Sequence, residues 1–431
     1  MSRTTLSTRL PKPMAYRLRN GEHYYWLTAD DKWSRFGEKS LRRQLIGASK
    51  GSPKKAGGAL SQVDQHLALI DTQNLVDYAG PVAGYPAGVL VFNGAKILVT
   101  EGPKLVQPSP GEWLRLNELL TGMLGGEDTT QLFSFFAWMK VADATIRRAH
   151  FQPGQALVLA GPKDSCKSLL QALITVILGG RAAKPARYIS GATDFNRELV
   201  RAEHWLIEDE LVATTPRERA HLAARIKELT VNECFSAHGK GDDALVLQPI
   251  RRLTISINET ADALSNLPPF DDGIGDKIML LRVRKPDIAL PGSVDERVAF
   301  LAALVAELPA FVAYLQGWEI PEALRDKRFG VQSFHHPELL ADLRQTSPEY
   351  RLFELICREL DCQQEGCMEV SSTSLEMRLA EKYPALMRTL CTTAPMSTLL
   401  ARLEVLHPTL VRKTRTASAR LWQLSRPVVT R

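Results

Sequence analysis

One stretch constrains this chain more than any other: Ala156–Ser168, ALVLAGPKDSCKS. It reads as a short apolar strand, a tight loop of small residues, and Lys167-Ser168 opening an apolar helix through Leu169, Leu170, Leu173, Ile174, Val176, Ile177 and Leu178. A strand, a compact loop and a helix N-terminus bearing Lys-Ser form a grip for a nucleoside triphosphate. Backbone N–H groups cradle the phosphates, the lysine reaches the β and γ oxygens, and the serine hydroxyl helps to hold magnesium. The residues expected in that cradle are Gly161, Pro162, Lys163, Asp164, Ser165, Cys166, Lys167 and Ser168. Cys166 stands where the G-x-x-x-x-G-K-[ST] pattern has its second glycine, which lets a backbone approach phosphate without a Cβ.

The surrounding residues, 151–290, alternate strand and helix in the rhythm of a parallel-sheet nucleotide-binding core. Ala186–Ser190 reads as a short strand and Phe195–Ala202 as a small helix. His204–Glu210, HWLIEDE, is an apolar strand ending in three acids. A carboxylate that holds magnesium and one that activates water belong at such an end. Asp209 is assigned to magnesium with Ser168, and Glu210 to water, with Glu208 as the rival for either role. Arg217–Leu229 is a basic amphipathic helix, followed by AHGKGDDALVL, a Gly-rich turn between extended segments with His238 and Lys240 at its tip. That turn is either an ordinary solvated hairpin or a loop meeting single-stranded nucleic acid, where a lysine meets phosphate as a point charge. Arg251–Glu259 delivers Asn258 to the end of a buried strand, where its amide can bond attacking water or γ-phosphate, or can merely cap a turn. Lys277, Arg282, Arg284 and Lys285 lie on or around the next strand; one of them could stabilise charge developing on a neighbour's γ-phosphate.

At 431 residues two or three domains are expected. The boundaries read as 1–150 (helical N-terminal region), 151–290 (the phosphate-loop core), 291–345 (helical extension) and 346–431. The expected fold class is α/β. Net charge is +6, concentrated at the ends: residues 1–60 hold 13 Lys/Arg against 4 Asp/Glu, and Arg402–Arg431 hold 7 against Glu404 alone. Basic ends suit a polyanion partner. In the last unit, helices precede two short basic strands, an order resembling a winged helix in which Arg402, Arg412, Lys413, Arg415 and Arg420 would touch nucleic acid. Many winged helices pack only on protein. No run of 18 apolar residues is read, so no membrane span and no membrane partner is expected. The six cysteines are scattered without a C-x-x-C pair, which points to a reduced, cytoplasmic setting. His335-His336 has no third ligand at useful spacing and reads as a capped turn, and Cys362-x4-Cys367 has no histidine near it.

Taken in order, GPKDSCKS, HWLIEDE, AHGKG and LTISINE resemble the A motif, B motif, DNA-touching hairpin and C motif of superfamily 3 helicases. The likeness is to the branch of phage, satellite and plasmid replication proteins related to the helicase part of P4-type primases. YYWLTADDKWSRF, the Gly-rich segment near 80–94 and GVQSFHHPEL add to it, so that it spans residues 16–345. The resemblance implies an AAA+-like core in a hexameric ring that hydrolyses ATP with Mg2+ and moves along single-stranded DNA at replication forks of a mobile element. It further implies a primase or polymerase on a separate chain. In it Lys167 and Ser168 bind phosphate and magnesium, Asp209 and Glu210 are B-motif acids, Asn258 is the sensor and Lys240 the hairpin lysine. Two departures stand out. Cys166 replaces a glycine, and at Asp276-Lys277 the usual arginine pair is missing, leaving Lys277, Arg282 or Arg284 for the finger. The alternatives are a replication initiator or loader with weak unwinding, and a degenerate ATPase serving as a DNA-binding scaffold.

Overall fold

The computed structural model describes residues 15–48, 52–53, 60–126, 128–208, 216–240, 244–268, 270, 273–362, 366–415 and 420–425. The N-terminal strands β1 (Ala15–Leu18), β2 (His23–Leu27) and β3 (Trp33–Gly37) form an antiparallel meander. Alternation in β2 turns Tyr24 and Trp26 inward. They meet Leu41 and Leu45 of α1 (Glu38–Gly47) and Val63, Leu67 and Ile70 of α2 (Gln62–Gln73) in a small core of their own. Ser61 caps α2, accepting from the Asp64 amide at 3.1 Å. β4 (Leu75–Val76) adds to β1 in parallel.

From Tyr78 onward the chain belongs to a different core. β5 (Tyr78–Gly80), β6 (Gly88–Phe92) and β7 (Ala95–Val99) make a second sheet, and Tyr78, Phe92, Ile97 and Val99 share one apolar cluster with the central sheet. So do α3 (Leu114–Leu124) and α4 (Thr130–Arg147), where Leu119, Phe135 and Trp138 are wholly buried. Tyr16 and Val76 of the first sheet meet Leu98 of β7 in a small cluster that joins the two parts.

The central sheet is built from β8 (Ala156–Ala160), β9 (Ala182–Ala183), β10 (His204–Glu208), β13 (Arg252–Ile257) and β14 (Ile278–Arg282), all parallel in the order β14-β8-β13-β10-β9. Every residue of β8 and β13 is buried, as expected of parallel strands covered on both faces. Between them run α5 (Lys167–Ile177), α6 (Ala186–Ile189), α7 (Pro216–Val231) and the hairpin of β11 (Phe235–Ala237) with β12 (Leu245–Leu247). After β13 comes the short α8 (Ala261–Leu264), capped by Thr260.

Two expectations here fail. Ala186–Ser190 is not a strand but holds α6; Pro185, with its fixed φ, starts a helix rather than pairing in a sheet. Phe195–Ala202 is not a helix beyond one tight turn at Leu199–Arg201. The Asn196 side chain is used elsewhere, on the hairpin, which holds its backbone away from helical bonding.

α9 (Val294–Gly317) opens on a capping box of Ser293 and Glu296 and carries Pro309 in its interior. By length and composition alone it could cross a membrane, although Glu307 interrupts its apolar residues, so no unbroken run of 18 is present. Leu304, Leu308, Phe311, Val312 and Leu315 join it to the central core. After Pro321 comes a single turn at Glu322–Leu324. Phe334 and His336 then pair with Leu280 on the outer edge of β14, at 2.7 and 2.9 Å. α10 (Pro337–Thr346) leads into the last unit: α11 (Pro348–Cys362), β15 (Cys367–Val370), α12 (Ser372–Lys382), α13 (Pro384–Thr393), α14 (Met396–Leu406), β16 (Val411–Arg415) and β17 (Arg420–Ser425). Its sheet runs β15-β17-β16, one strand more than the sequence suggested, over a separate core centred on Leu352, Leu375, Leu399 and Leu424.

Candidate nucleotide site and nucleic-acid face

The loop after β8 has the shape of a phosphate cradle. Gly161 donates to the Ile257 carbonyl at 3.2 Å, and a Cβ on it would collide with the Val283 carbonyl. Asp164 and Cys166 take left-handed backbone, with φ of 61° and 62°. That conformation costs an ordinary residue about 1–2 kcal/mol. Cys166 thus keeps the backbone a glycine would adopt, at the residue immediately before α5. Burial pushes its half-buried thiol above the ordinary range. Lys167 is 7% exposed, and its ammonium lies inside the loop, donating to the carbonyls of Gly161 (2.8 Å) and Pro162 (2.7 Å). Ser165 turns its hydroxyl onto the Pro162 carbonyl at 2.8 Å. Lys163, Asp164 and Ser168 are exposed.

Glu208 closes β10 with its carboxylate against Lys184, 3.0 Å away, and within hydrogen-bonding reach of the Ser168 hydroxyl. The Lys184 bond, more than the Ser168 bond, holds that carboxyl below the usual range despite partial burial. Asp209 and Glu210 lie outside the described residues. A hydroxyl beside a carboxylate is a hard-oxygen donor pair of the kind magnesium takes. Asn258 follows β13, which separates β8 from β10, and is half-buried at the mouth of the crevice. Register sets Ile257 against Ala160 and Ser256 against Glu208. The ends of the three strands therefore sit side by side.

Behind them lies a network that the sequence did not disclose. His204 is fully buried between the hydroxyls of Thr175 (2.7 Å) and Thr254 (2.8 Å). Gln171 donates to Thr254 (2.8 Å) and to the Ile207 carbonyl (3.3 Å). α5, β10 and β13 are thereby tied through side chains. Burial lowers the His204 pKa to about 3, so the ring is neutral at ordinary pH.

The three cationic candidates for the finger differ. Lys277 is bound to Asp276 at 2.5 Å. Arg282 pairs with Glu259 at 3.0 Å and with Glu338. Arg284 is exposed and makes no ion pair with a described residue. His335 uses Nε2 to bond the carbonyls of Gly275 (3.0 Å) and Ile278 (3.1 Å), so it fastens the turn that carries Lys277. Among the described residues no group of three His, Cys, Asp or Glu could hold a metal ion.

The hairpin carries His238 and Lys240, both exposed. Asn196 clamps its base: Oδ1 accepts from the His238 amide at 2.7 Å and Nδ2 donates to the Ser236 carbonyl at 2.9 Å. The same loop presents Phe195, 54% exposed, at a hollow of about 230 Å³ that is also lined by Lys184, Arg187, Tyr188, Thr193, Glu198 and Leu199. An aromatic ring flanked by cations next to the hairpin was missed because Phe195 was assigned to a helix. Beneath the hairpin, buried Arg251 lies over the rings of Trp205 (5.2 Å) and Phe235 (5.3 Å) and donates to the carbonyls of Pro249 (3.1 Å) and Asn232 (3.2 Å). Burial brings its pKa down to about 10.

In the C-terminal unit Arg402 is paired with Glu349 at 2.8 Å. Lys413 lies 5.7 Å from the Trp422 ring centre, while Arg412 and Arg420 are exposed. Arg415 pairs through its backbone with Arg420, and its side chain lies outside the described residues. The outer face of α14 shows Val405, 81% exposed.

Fold and site together define an α/β protein with a phosphate-loop-like core. No protein-family model matches the sequence, and no curated protein does. Among solved structures, the chain is similar to the apo structure of NrS-1 C terminal region (305-718). The likeness has a TM-score of 0.57 at 12% identity, over 96% of each chain. The A form of that region gives 0.56 at 13% identity, again over 96% of both chains. This likeness is one of fold. A structure described as SCCmec type IV Cch - active helicase aligns over 93% of this chain and 76% of its own, at 11% identity and a TM-score of 0.32, too slight to argue from.

Proposed function

We propose that the chain is an ATP-dependent DNA helicase or translocase acting in replication of a mobile element. The observation that carries this reading is the side-by-side placement of the ends of β8, β13 and β10, with the Lys167 loop leaving the first and Asn258 following the second. Lys167 would exchange its loop carbonyls for the β and γ oxygens of ATP. Ser168 and a B-motif carboxylate, Asp209 or its rival Glu208, would hold magnesium. When bound, the metal would neutralise phosphate charge. Asp209 or Glu210, with Asn258, would orient the attacking water. Arg284, exposed and beyond the end of β14, is the finger candidate best placed to reach a neighbouring subunit in a hexameric ring. His238, Lys240 and Phe195 would meet single-stranded DNA by charge and stacking. Arg412, Lys413, Arg415 and Arg420 would touch the duplex backbone at the fork from a winged-helix-like unit, with a primase or polymerase on another chain.

Cys166 favours a second reading, a degenerate ATPase that binds DNA without turnover. ATP hydrolysis with and without single-stranded DNA, beside Lys167→Ala, separates the two. DNA-stimulated turnover lost in the variant is the expected result. DNA binding with no turnover would leave the scaffold.

A further inference from the structure

Arg282 ends β14, and both polar groups of its backbone are gripped by Gln131 of α4. The Arg282 amide donates to Gln131 Oε1 at 2.8 Å, and Gln131 Nε2 donates to the Arg282 carbonyl at 3.0 Å. In register, Ala160 has Arg282 on one side and Ile257 on the other. Strands spaced about 4.8 Å apart put those two ends roughly 10 Å from each other, on either side of the strand from which the phosphate loop departs. The Arg282 side chain is met by Glu259, whose Oε2 accepts from Nε at 3.0 Å, while Nη1 pairs with Glu338 in the first turn of α10. Glu259 directly follows Asn258. Partly exposed ion pairs of this kind contribute little to stability. A rigid guanidinium fork holding two carboxylates does fix direction.

We infer that Arg282 is a positioning residue acting within its own subunit: through Glu259 it sets the placement of Asn258, and through Glu338 it joins that placement to the helix leading into the C-terminal unit. The inference rests on the ATPase reading above. It moves Arg282 out of the role of a finger reaching the next subunit. To play that part the side chain would have to leave both carboxylates and expose them to each other.

The test measures kcat and KM for ATP in the full-length chain and in Arg282→Ala, Arg282→Lys, Asn258→Ala and the Arg282→Ala/Asn258→Ala double variant. Small misplacements of an orienting group cost up to ~100-fold in rate, so Arg282→Ala is expected to lower kcat about 10- to 100-fold with KM changed less than about threefold. The double variant should be no slower than Asn258→Ala alone, because one residue acts through the other. Lysine should restore part of kcat. Should Arg282→Ala fold poorly, Glu259→Gln breaks the same link without touching β14 and carries the same expectation. A raised KM with kcat intact, or additive losses in the double variant, would overturn the inference. So would turnover regained when Lys167→Ala and Arg282→Ala subunits are mixed, which would mean the arginine works across subunits. A wild-type chain that hydrolyses no ATP removes the ATPase reading and this inference with it; the other outcomes remove the inference alone.

Discussion

The phosphate-loop core and the C-terminal unit were both read from the sequence as places where charged residues do chemistry, and they differ in where those charges go. In the core, Lys167 and Ser168 open α5 just after β8, Glu208 ends β10 and Asn258 follows β13, so neighbouring strand ends bring them to one side of the sheet. In the C-terminal unit, Arg402 is occupied by Glu349, Lys413 lies by Trp422, and α14, which carries Arg402, shows Val405 to solvent. A charge at the end of a parallel strand is committed to the crevice by topology. A charge on a surface helix or wing is committed only by its partners.

Glu208→Gln should sharpen that contrast most. If Glu208 shares the metal with Ser168, turnover should fall about 100-fold or more while ATP still binds, on the scale of losing one preorganised charge at a transition state. Single-turnover assays across magnesium concentrations check this. Next, Phe195→Ala should weaken single-strand binding by ~1–3 kcal/mol, the worth of one stacked base. Arg402→Ala should leave that binding within about twofold, since its ion pair with Glu349 is a surface one. Fluorescence anisotropy of a labelled oligonucleotide compares the pair, and equal losses would erase the difference between the two regions.

A pH experiment separates them further. His204 has a folded pKa of about 3 against 6.5 when free, so the unfolded chain binds the extra proton between those values. Stability from this site is therefore complete above pH 6.5 and lost as pH falls toward 3, by up to about 1.4 kcal/mol per pH unit. Denaturant melts from pH 7 to 4 should show the core losing stability, and His204→Gln should flatten the slope. The smallest effect is expected from Cys166→Gly. Relief of left-handed strain, about 1–2 kcal/mol, is offset by ~1 kcal/mol of glycine entropy. Thermal midpoints should shift by only a few degrees, with nucleotide affinity equal or higher.

Much of the core was legible because its signals are local. The apolar run of β8, the Lys-Ser pair and the alternation ending at Asn258 each occupy fewer than ten residues, and burial on both faces forces such runs to be strands. Pro185 stands just before 186–190, where a short helix forms in place of the strand expected there. Three consecutive acids carry the same chemistry at the end of one strand, so spacing alone does not rank Glu208, Asp209 and Glu210. The links of Arg282 to Glu259 and Glu338, of Asn196 to the hairpin, and of Arg251 to Trp205 and Phe235 join positions tens of residues apart. Nothing in spacing or periodicity marks them.

The outer edge of β14 has a consequence for how copies of this chain can meet. Phe334 and His336 pair with Leu280, and Gln131 fills the place of a neighbouring strand at Arg282. At the opposite edge, β9 offers only two residues. Both margins of the sheet are thus blunted against strand addition. For this central sheet, growth by adding a strand from another copy is closed at both ends.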